Sequence, residues 1–123
     1  MICVYSRAGV GGALTDVPVN TLVGVGKTAR INCATDMDQP VFWVRTLAGS
    51  DVEQWLYYGS DDFNGNNADA RFSIDKNEAT GRYDVMIEDV QHKDAGQYVC
   101  IDDSGLGARA SAELVISGTF RPV

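Results

Sequence analysis

Apolar and polar residues alternate along most of the chain, and turn-forming residues separate the alternating runs. Side chains two positions apart in a β-strand point to the same face, so this alternation predicts strands that are apolar on one side. No amphipathic helix, internal repeat or low-complexity tract is predicted. The predicted strands cover residues 14–23, 27–35, 40–46, 52–58, 71–75, 82–89, 97–102 and 108–117.

Two cysteines in these strands bracket a tryptophan. Trp43 lies between Cys33 and Cys100, and Tyr98 precedes the second cysteine by two residues in the run DAGQYVC. This pattern resembles the immunoglobulin superfamily over about residues 19–116. The cysteines are 67 residues apart, which leaves room for two further strands, C′ and C″, so the chain is similar to a variable-type (V-set) domain. The expected fold is an all-β, two-sheet immunoglobulin sandwich, a V-type Greek key with C′ and C″ strands.

The resemblance also implies structural roles for particular residues. Cys33 and Cys100 would form a disulfide packed against Trp43, and Tyr98 would form a tyrosine corner near Asp94. In V-set domains an ion pair closes the bottom of the sandwich, and Arg71 and Asp94 stand where that pair is expected. The last predicted strand looks more like that of adhesion-type or intermediate-set domains. The chain therefore resembles both an adhesion receptor and an ancestral, non-rearranging antigen-receptor-like V domain.

Alternation also assigns strand faces once the cysteines and Trp43 are taken to point inward. The other predicted core residues are Ala29, Ile31, Val41, Tyr83, Val85, Ile87, Val90, Tyr98, Leu114 and Ile116.

The same alternation places many apolar side chains on the outer face of one sheet, which is formed by the predicted strands C (40–46), C′ (52–58), F (97–102) and G (108–117). A contiguous exposed apolar patch larger than a few hundred Å² usually marks a binding site, and in the V-set domains that the chain resembles this sheet is the usual pairing face. Arg109, Glu113 and Asp103 would form a charged rim around the apolar centre. The predicted interface consists of Phe42, Val44, Trp55, Tyr57, Val99, Ile101 and Val115, with Tyr58 beside them. A bulge in strand C′ would change which of its aromatic residues face outward.

This patch predicts a protein partner, and a homodimer is the simplest assembly because a two-fold axis pairs a patch with itself. The alternative is that loops of this chain or a neighbouring domain cover the patch. A different hypothesis places binding at the loop end, where the BC, C′C″ and FG loops of a secreted domain would hold a microbial glycan or another small ligand. Its candidate ligand contacts are Asp103, Ser104, Gly105 and Leu106.

Chain length and net charge limit the number of domains and the classes of ligand that the chain is expected to bind. The chain has 123 residues, which suits one domain, with residues 1–12 as an N-terminal extension, 13–117 as the V-set domain and 118–123 as a linker. Its net charge of −7 argues against nucleic acid, heparin-like polymers and anionic membranes, which reward basic patches. No apolar run is long enough for a membrane span.

Cysteine usage predicts an extracellular setting, either as a cell-surface ectodomain or as a secreted protein, because disulfides persist outside the cytosol. Cys3 is then left over, as a free thiol or as half of an inter-chain disulfide.

The sequence offers little for catalysis, and we expect no enzyme activity and no cofactor. His92 is the only histidine, so no zinc ligand set is available. The acidic run at residues 61–69 lacks the sixth-position glycine and the final glutamate of a calcium loop, so no metal site is predicted.

Overall fold

A computed structural model describes residues 14–36, 40–63, 70–102 and 108–118, and these residues form an all-β domain. The helical structure within this part of the chain is one short 3-10 turn, His92–Asp94. In chain order the strands are β1 (Leu14–Asp16), β2 (Thr21–Gly24), β3 (Ala29–Ile31), β4 (Ala34–Thr35), β5 (Val41–Leu47), β6 (Glu53–Tyr58), β7 (Asp61–Asp62), β8 (Phe72–Asn77), β9 (Arg82–Ile87), β10 (Gly96–Asp102) and β11 (Arg109–Ser117).

The strands form two sheets, as the resemblance predicted. In the first sheet, β9 pairs with β3 and β4 on one side and with β8 on the other, and β1 pairs with β4. The second sheet has the order β2-β11-β10-β5-β6-β7. Strands β11, β10, β5, β6 and β7 correspond to G, F, C, C′ and C″ of the family.

Two predicted strands are each divided in the structure. The predicted strand at residues 14–23 becomes β1 in the first sheet and β2 in the second, with Pro18 between them. Proline has no backbone N–H to donate, so it favours the point at which pairing changes. The predicted strand at residues 27–35 divides into β3 and β4 where the backbone N–H of Cys33 donates to the Asp84 carboxylate, at 3.0 Å.

The core lies between the sheets and confirms the inward-facing residues inferred from alternation. Cys33 and Cys100 form the predicted disulfide, which joins the segment between β3 and β4 to β10. Trp43 is fully buried, and its indole N–H donates to the carbonyl oxygen of Tyr83 at 2.8 Å. The predicted core residues that are buried are Ala29, Ile31, Val41, Tyr83, Val85, Ile87, Val90, Tyr98, Leu114 and Ile116.

One end of the sandwich is closed by a buried ion pair. The Arg71 guanidinium donates to both carboxylate oxygens of Asp94, at 2.8 and 2.9 Å, and Asp94 is buried. The Tyr98 hydroxyl donates to the Asp94 carbonyl oxygen at 2.7 Å, which is the tyrosine-corner bond. Burial raises the pKa of the Tyr98 phenol.

This ion pair makes stability depend on pH. Burial acts to raise the pKa of Asp94, but hydrogen bonds from Arg71 and from the Gln91 backbone N–H lower it below its ordinary value of 3.8. A lowered pKa means that the stabilisation is complete above about pH 4 and is lost as the pH falls below that value. Urea unfolding between pH 7 and pH 2.5 should therefore show a steeper loss of stability in acid for the wild type than for Asp94→Asn. Equal slopes would contradict this assignment.

The outer side of the first sheet carries an ion-pair network that the sequence analysis did not predict. Asp84 is buried and accepts from Arg30 at 2.6 Å and from Arg82 at 2.9 Å. Arg30 also donates to Asp75, and Arg82 to Asp16, so the network crosses from β8 to β1. The hydrogen bond to Asp75 is the main cause that raises the pKa of Arg30, and the bond to Asp16 does the same for Arg82.

Candidate protein-binding face

The side of the second sheet that faces away from the core is called the outer face here. Its side chains form rows across neighbouring strands, because paired residues in a ladder point to the same side. The first row begins with a cation, continues through three apolar residues and ends with an anion. It consists of Arg109, Ile101, Phe42, Tyr58 and Asp61.

Two further rows follow along the strands. The second is mainly apolar and consists of Ser111, Val99, Val44 and Trp55. The third is polar and carries an acid at each end; it consists of Glu113, Gln97, Thr46 and Glu53. The apolar part of the outer face therefore extends over two rows, and the third row forms an acidic border along one side of it.

A β-bulge in β6 decides which aromatic residues reach this face. Trp43 pairs with Tyr57 and Val44 pairs with Trp55, so Leu56 is the additional residue. Trp55 consequently shares the outer side with Val44, whereas Tyr57 is only 5% exposed and belongs to the core cluster. The expectation that Tyr57 lies in the interface is wrong, because the bulge turns its side chain inward together with Leu56.

Four rings form an aromatic cluster on the outer face: Phe42, Trp55, Tyr58 and Phe63. The centroid of Phe42 lies 5.5 Å from that of Trp55, 4.6 Å from that of Tyr58 and 6.2 Å from that of Phe63. Trp55 and Phe63 are themselves 5.9 Å apart. The rings hold one another in place, yet Trp55 remains 46% exposed and Phe63 remains 50% exposed. The cluster is an exposed apolar projection with a defined shape.

Phe63 is the contact candidate that the sequence analysis missed. Its backbone N–H donates to the carbonyl oxygen of Leu56 at 3.0 Å, so the bulge residue also fixes the turn that carries this ring. The available signal was a single aromatic residue after Asp61 and Asp62 in an otherwise polar segment.

Val44 occupies the centre of the outer face but is not exposed. It lies on the outer side in the ladder, between Val99 and Trp55, and its exposed fraction is 1%. The expectation that it is a surface contact is wrong, since a short side chain on a central strand is covered by its cross-strand neighbours. A charge at this position would be buried, so Val44→Glu would test stability rather than binding.

Val115 is exposed, as expected, but it lies apart from the aromatic cluster. It pairs with Leu22 of β2, and Glu113 stands between it and the two apolar rows on β11. Val115 is four positions from Ser111, which is about 13 Å along a strand. Val115 and Leu22 thus form a separate small patch, and the predicted interface residues are not all contiguous.

Phe42, Val99 and Ile101 are partly buried on the outer face, as the alternation placed them. Asp103, Ser104, Gly105 and Leu106 lie outside the described residues, so their role in binding stays a prediction. Cys3 also lies outside the described residues, and the domain boundaries near residues 12 and 118 stay predictions.

The family model described as the immunoglobulin V-set domain matches residues 16–111 of the chain. The chain belongs to the V-set family. V-set domains are a non-enzymatic recognition fold. Within the described part of this V-set domain, no helix is long and apolar enough to cross a membrane, and no group of three His, Cys, Asp or Glu side chains could hold a metal ion.

Three solved structures with the same fold are complexes of immunoglobulin domains. The crystal structure of Dpr1 IG1 bound to DIP-eta IG1 matches this V-set domain with a TM-score of 0.70 at 19% identity, covering 90% of this chain and 100% of that chain. The RIG-5 IG1 homodimer matches with a TM-score of 0.70 at 12% identity, covering 89% of this chain and 100% of that chain. A structure of Dpr2 Ig1-Ig2 in complex with DIP-Theta Ig1-Ig3 matches with a TM-score of 0.67 at 21% identity, covering 85% of this chain and 34% of that chain. At these identities the likeness shows the fold.

Proposed function

We propose that this V-set domain is an extracellular recognition module of an adhesion or immune-type receptor, and that it binds another immunoglobulin domain through the aromatic cluster on its outer face. The observation that carries the proposal is the exposure of Trp55 and Phe63, each about half exposed within a packed group of rings. Aromatic residues at the centre of a patch with a polar border are the arrangement expected of a protein interface.

The two outer surfaces of the sandwich support the choice of face. The first sheet covers its outer side with the ion pairs of Arg30, Arg82 and Asp84, whose charges already satisfy one another. The second sheet presents rings instead. Burying exposed apolar area against a partner lowers the free energy. Burying a satisfied ion-pair network would instead remove its hydration without a compensating gain.

The similar structures also support a protein partner. Dpr1 IG1 is bound to another immunoglobulin domain, and RIG-5 IG1 forms a homodimer. For this chain, a homodimer through the outer face is the simplest assembly, since a two-fold axis would place one aromatic cluster against the other sheet.

Trp55→Ala should weaken self-association at least tenfold, because truncating a central aromatic anchor typically removes about 2 kcal/mol or more of binding free energy and about 1.4 kcal/mol is a factor of ten. Analytical ultracentrifugation over a wide concentration range measures the dissociation constant. Phe63→Ala should act in the same direction.

Leu22→Ala is the matched control, because Leu22 is also apolar and exposed on the second sheet but lies outside the cluster. It should change the dissociation constant less than threefold. A wild-type mass that stays monomeric at all concentrations would refute the homodimer, and equal effects of the Trp55 and Leu22 variants would refute the proposed face.

A further inference from the structure

The border of the aromatic cluster is strongly unbalanced in charge. Glu53 and Glu113 end the third row, Asp61 ends the first, and all three are exposed. Arg109 is the cation on these three rows of described residues, at the far end of the first row from Asp61. The partner meets an apolar centre with an acidic border.

These acids are close enough to the centre to act on a docked surface. Outward-facing residues in successive rows are two positions apart, which is about 7 Å along a strand. This distance is within the screening length of about 8 Å at physiological ionic strength. Glu53 is the outward position next to Trp55 along β6, so a domain that covers Trp55 also approaches the Glu53 carboxylate.

A second copy of the chain is therefore a poor electrostatic match. A two-fold dimer brings two identical acidic borders together, and Arg109 of each copy can offset only part of that repulsion. The net charge of −7 on each chain adds a longer-range repulsion between copies. Opposite charges at the border would instead raise the association rate and favour the correct partner.

Resting on the proposed function, we infer that the outer face selects an immunoglobulin domain whose own apolar face has a basic border, and that it binds such a domain more tightly than it binds a second copy. The aromatic cluster provides the contact area. Glu53, Glu113 and Asp61 provide the selection between partners.

A charge-reversed copy of the same chain serves as the probe. Glu53→Lys/Glu113→Lys keeps the aromatic cluster and replaces the acidic third row with a basic one. At low ionic strength, wild type mixed with this variant should form a heterodimer about tenfold tighter than the wild-type homodimer, and added salt should reduce the difference.

Glu88→Lys/Asp89→Lys is the matched control, because it changes the net charge equally at two exposed positions that follow β9 of the first sheet. The heterodimer that it forms with wild type should be no more than about threefold tighter than the wild-type homodimer. The inference would be overturned if the control variant gained as much affinity as the Glu53/Glu113 variant. It would also be overturned if the Glu53/Glu113 variant bound wild type no more tightly than wild type binds itself, or formed no heterodimer at all. If Trp55→Ala also left every assembly unchanged, the proposed face itself would fail, whereas a salt-independent homodimer that Trp55→Ala weakens would refute the charge selection alone.

Discussion

Asp84→Ala is expected to lower the free energy of unfolding by about 3 kcal/mol, because it removes the central anion of a buried ion-pair network. The substitution leaves two guanidinium groups, Arg30 and Arg82, without their shared acceptor. It also leaves the buried backbone N–H of Cys33 without the carboxylate oxygen that accepts from it at 3.0 Å. Urea unfolding at neutral pH measures the loss.

Asp75→Ala is the matched control for this prediction. Asp75 faces Asp84 across the β8-β9 ladder and accepts from the same arginine, Arg30, at 2.8 Å, but its side chain is 54% exposed. Exposed ion pairs contribute little, so this variant should lose less than about 1 kcal/mol. Similar losses for the two variants would mean that burial does not determine the strength of the network.

Replacing both Cys33 and Cys100 with alanine is expected to destabilise the fold by about 4 kcal/mol, since the disulfide closes a separation of 67 residues. In the chain-entropy account the bond acts by restricting the unfolded chain. The variant should therefore keep its β-sheet circular dichroism while its denaturation midpoint falls.

Every protein in that comparison should carry Cys3→Ser, so that no other thiol can react. Reduced chain with intact Cys33 and Cys100 provides a second reference that keeps the sulfur atoms in the core. A loss of less than about 1 kcal/mol in both samples would contradict the role given to the bond.

Much of the sandwich could be predicted from the sequence because the two sheets bury one face each. Once Cys33, Trp43 and Cys100 are assigned to the core, the period of two determines the direction of the neighbouring side chains, and the buried residues follow. The identity of the outer face followed from the same parity.

The details of the outer face could not be predicted in this way. The bulge at Leu56 breaks the parity within β6, and a run of four apolar residues there gives no sign of which one is additional. Burial of Val44 depends on the size of its cross-strand neighbours, which becomes known only with the register. Whether Val115 joins the cluster likewise depends on the row in which it falls.

The network around Asp84 was missed for a related reason. Charged residues at outward positions are normally solvated, so Arg30, Asp75 and Arg82 looked like ordinary surface residues. Their pairing depends on three strands lying side by side in one register, with Asp84 opposite Asp75 and Arg30 bridging the two carboxylates. A search for acids and bases at matching outward positions of adjacent strands would find such networks.

The parallel pairing of β2 with β11 has a mechanical consequence. Thr21 to Gly24 run in the same direction as Leu114 to Ser117, so the chain enters β2 and leaves β11 at opposite ends of the paired segment. Tension applied through the residues before β2 and after β11 would load these hydrogen bonds together in shear, instead of unzipping them one at a time. The domain would therefore resist pulling along its strands more strongly than its modest length of pairing suggests.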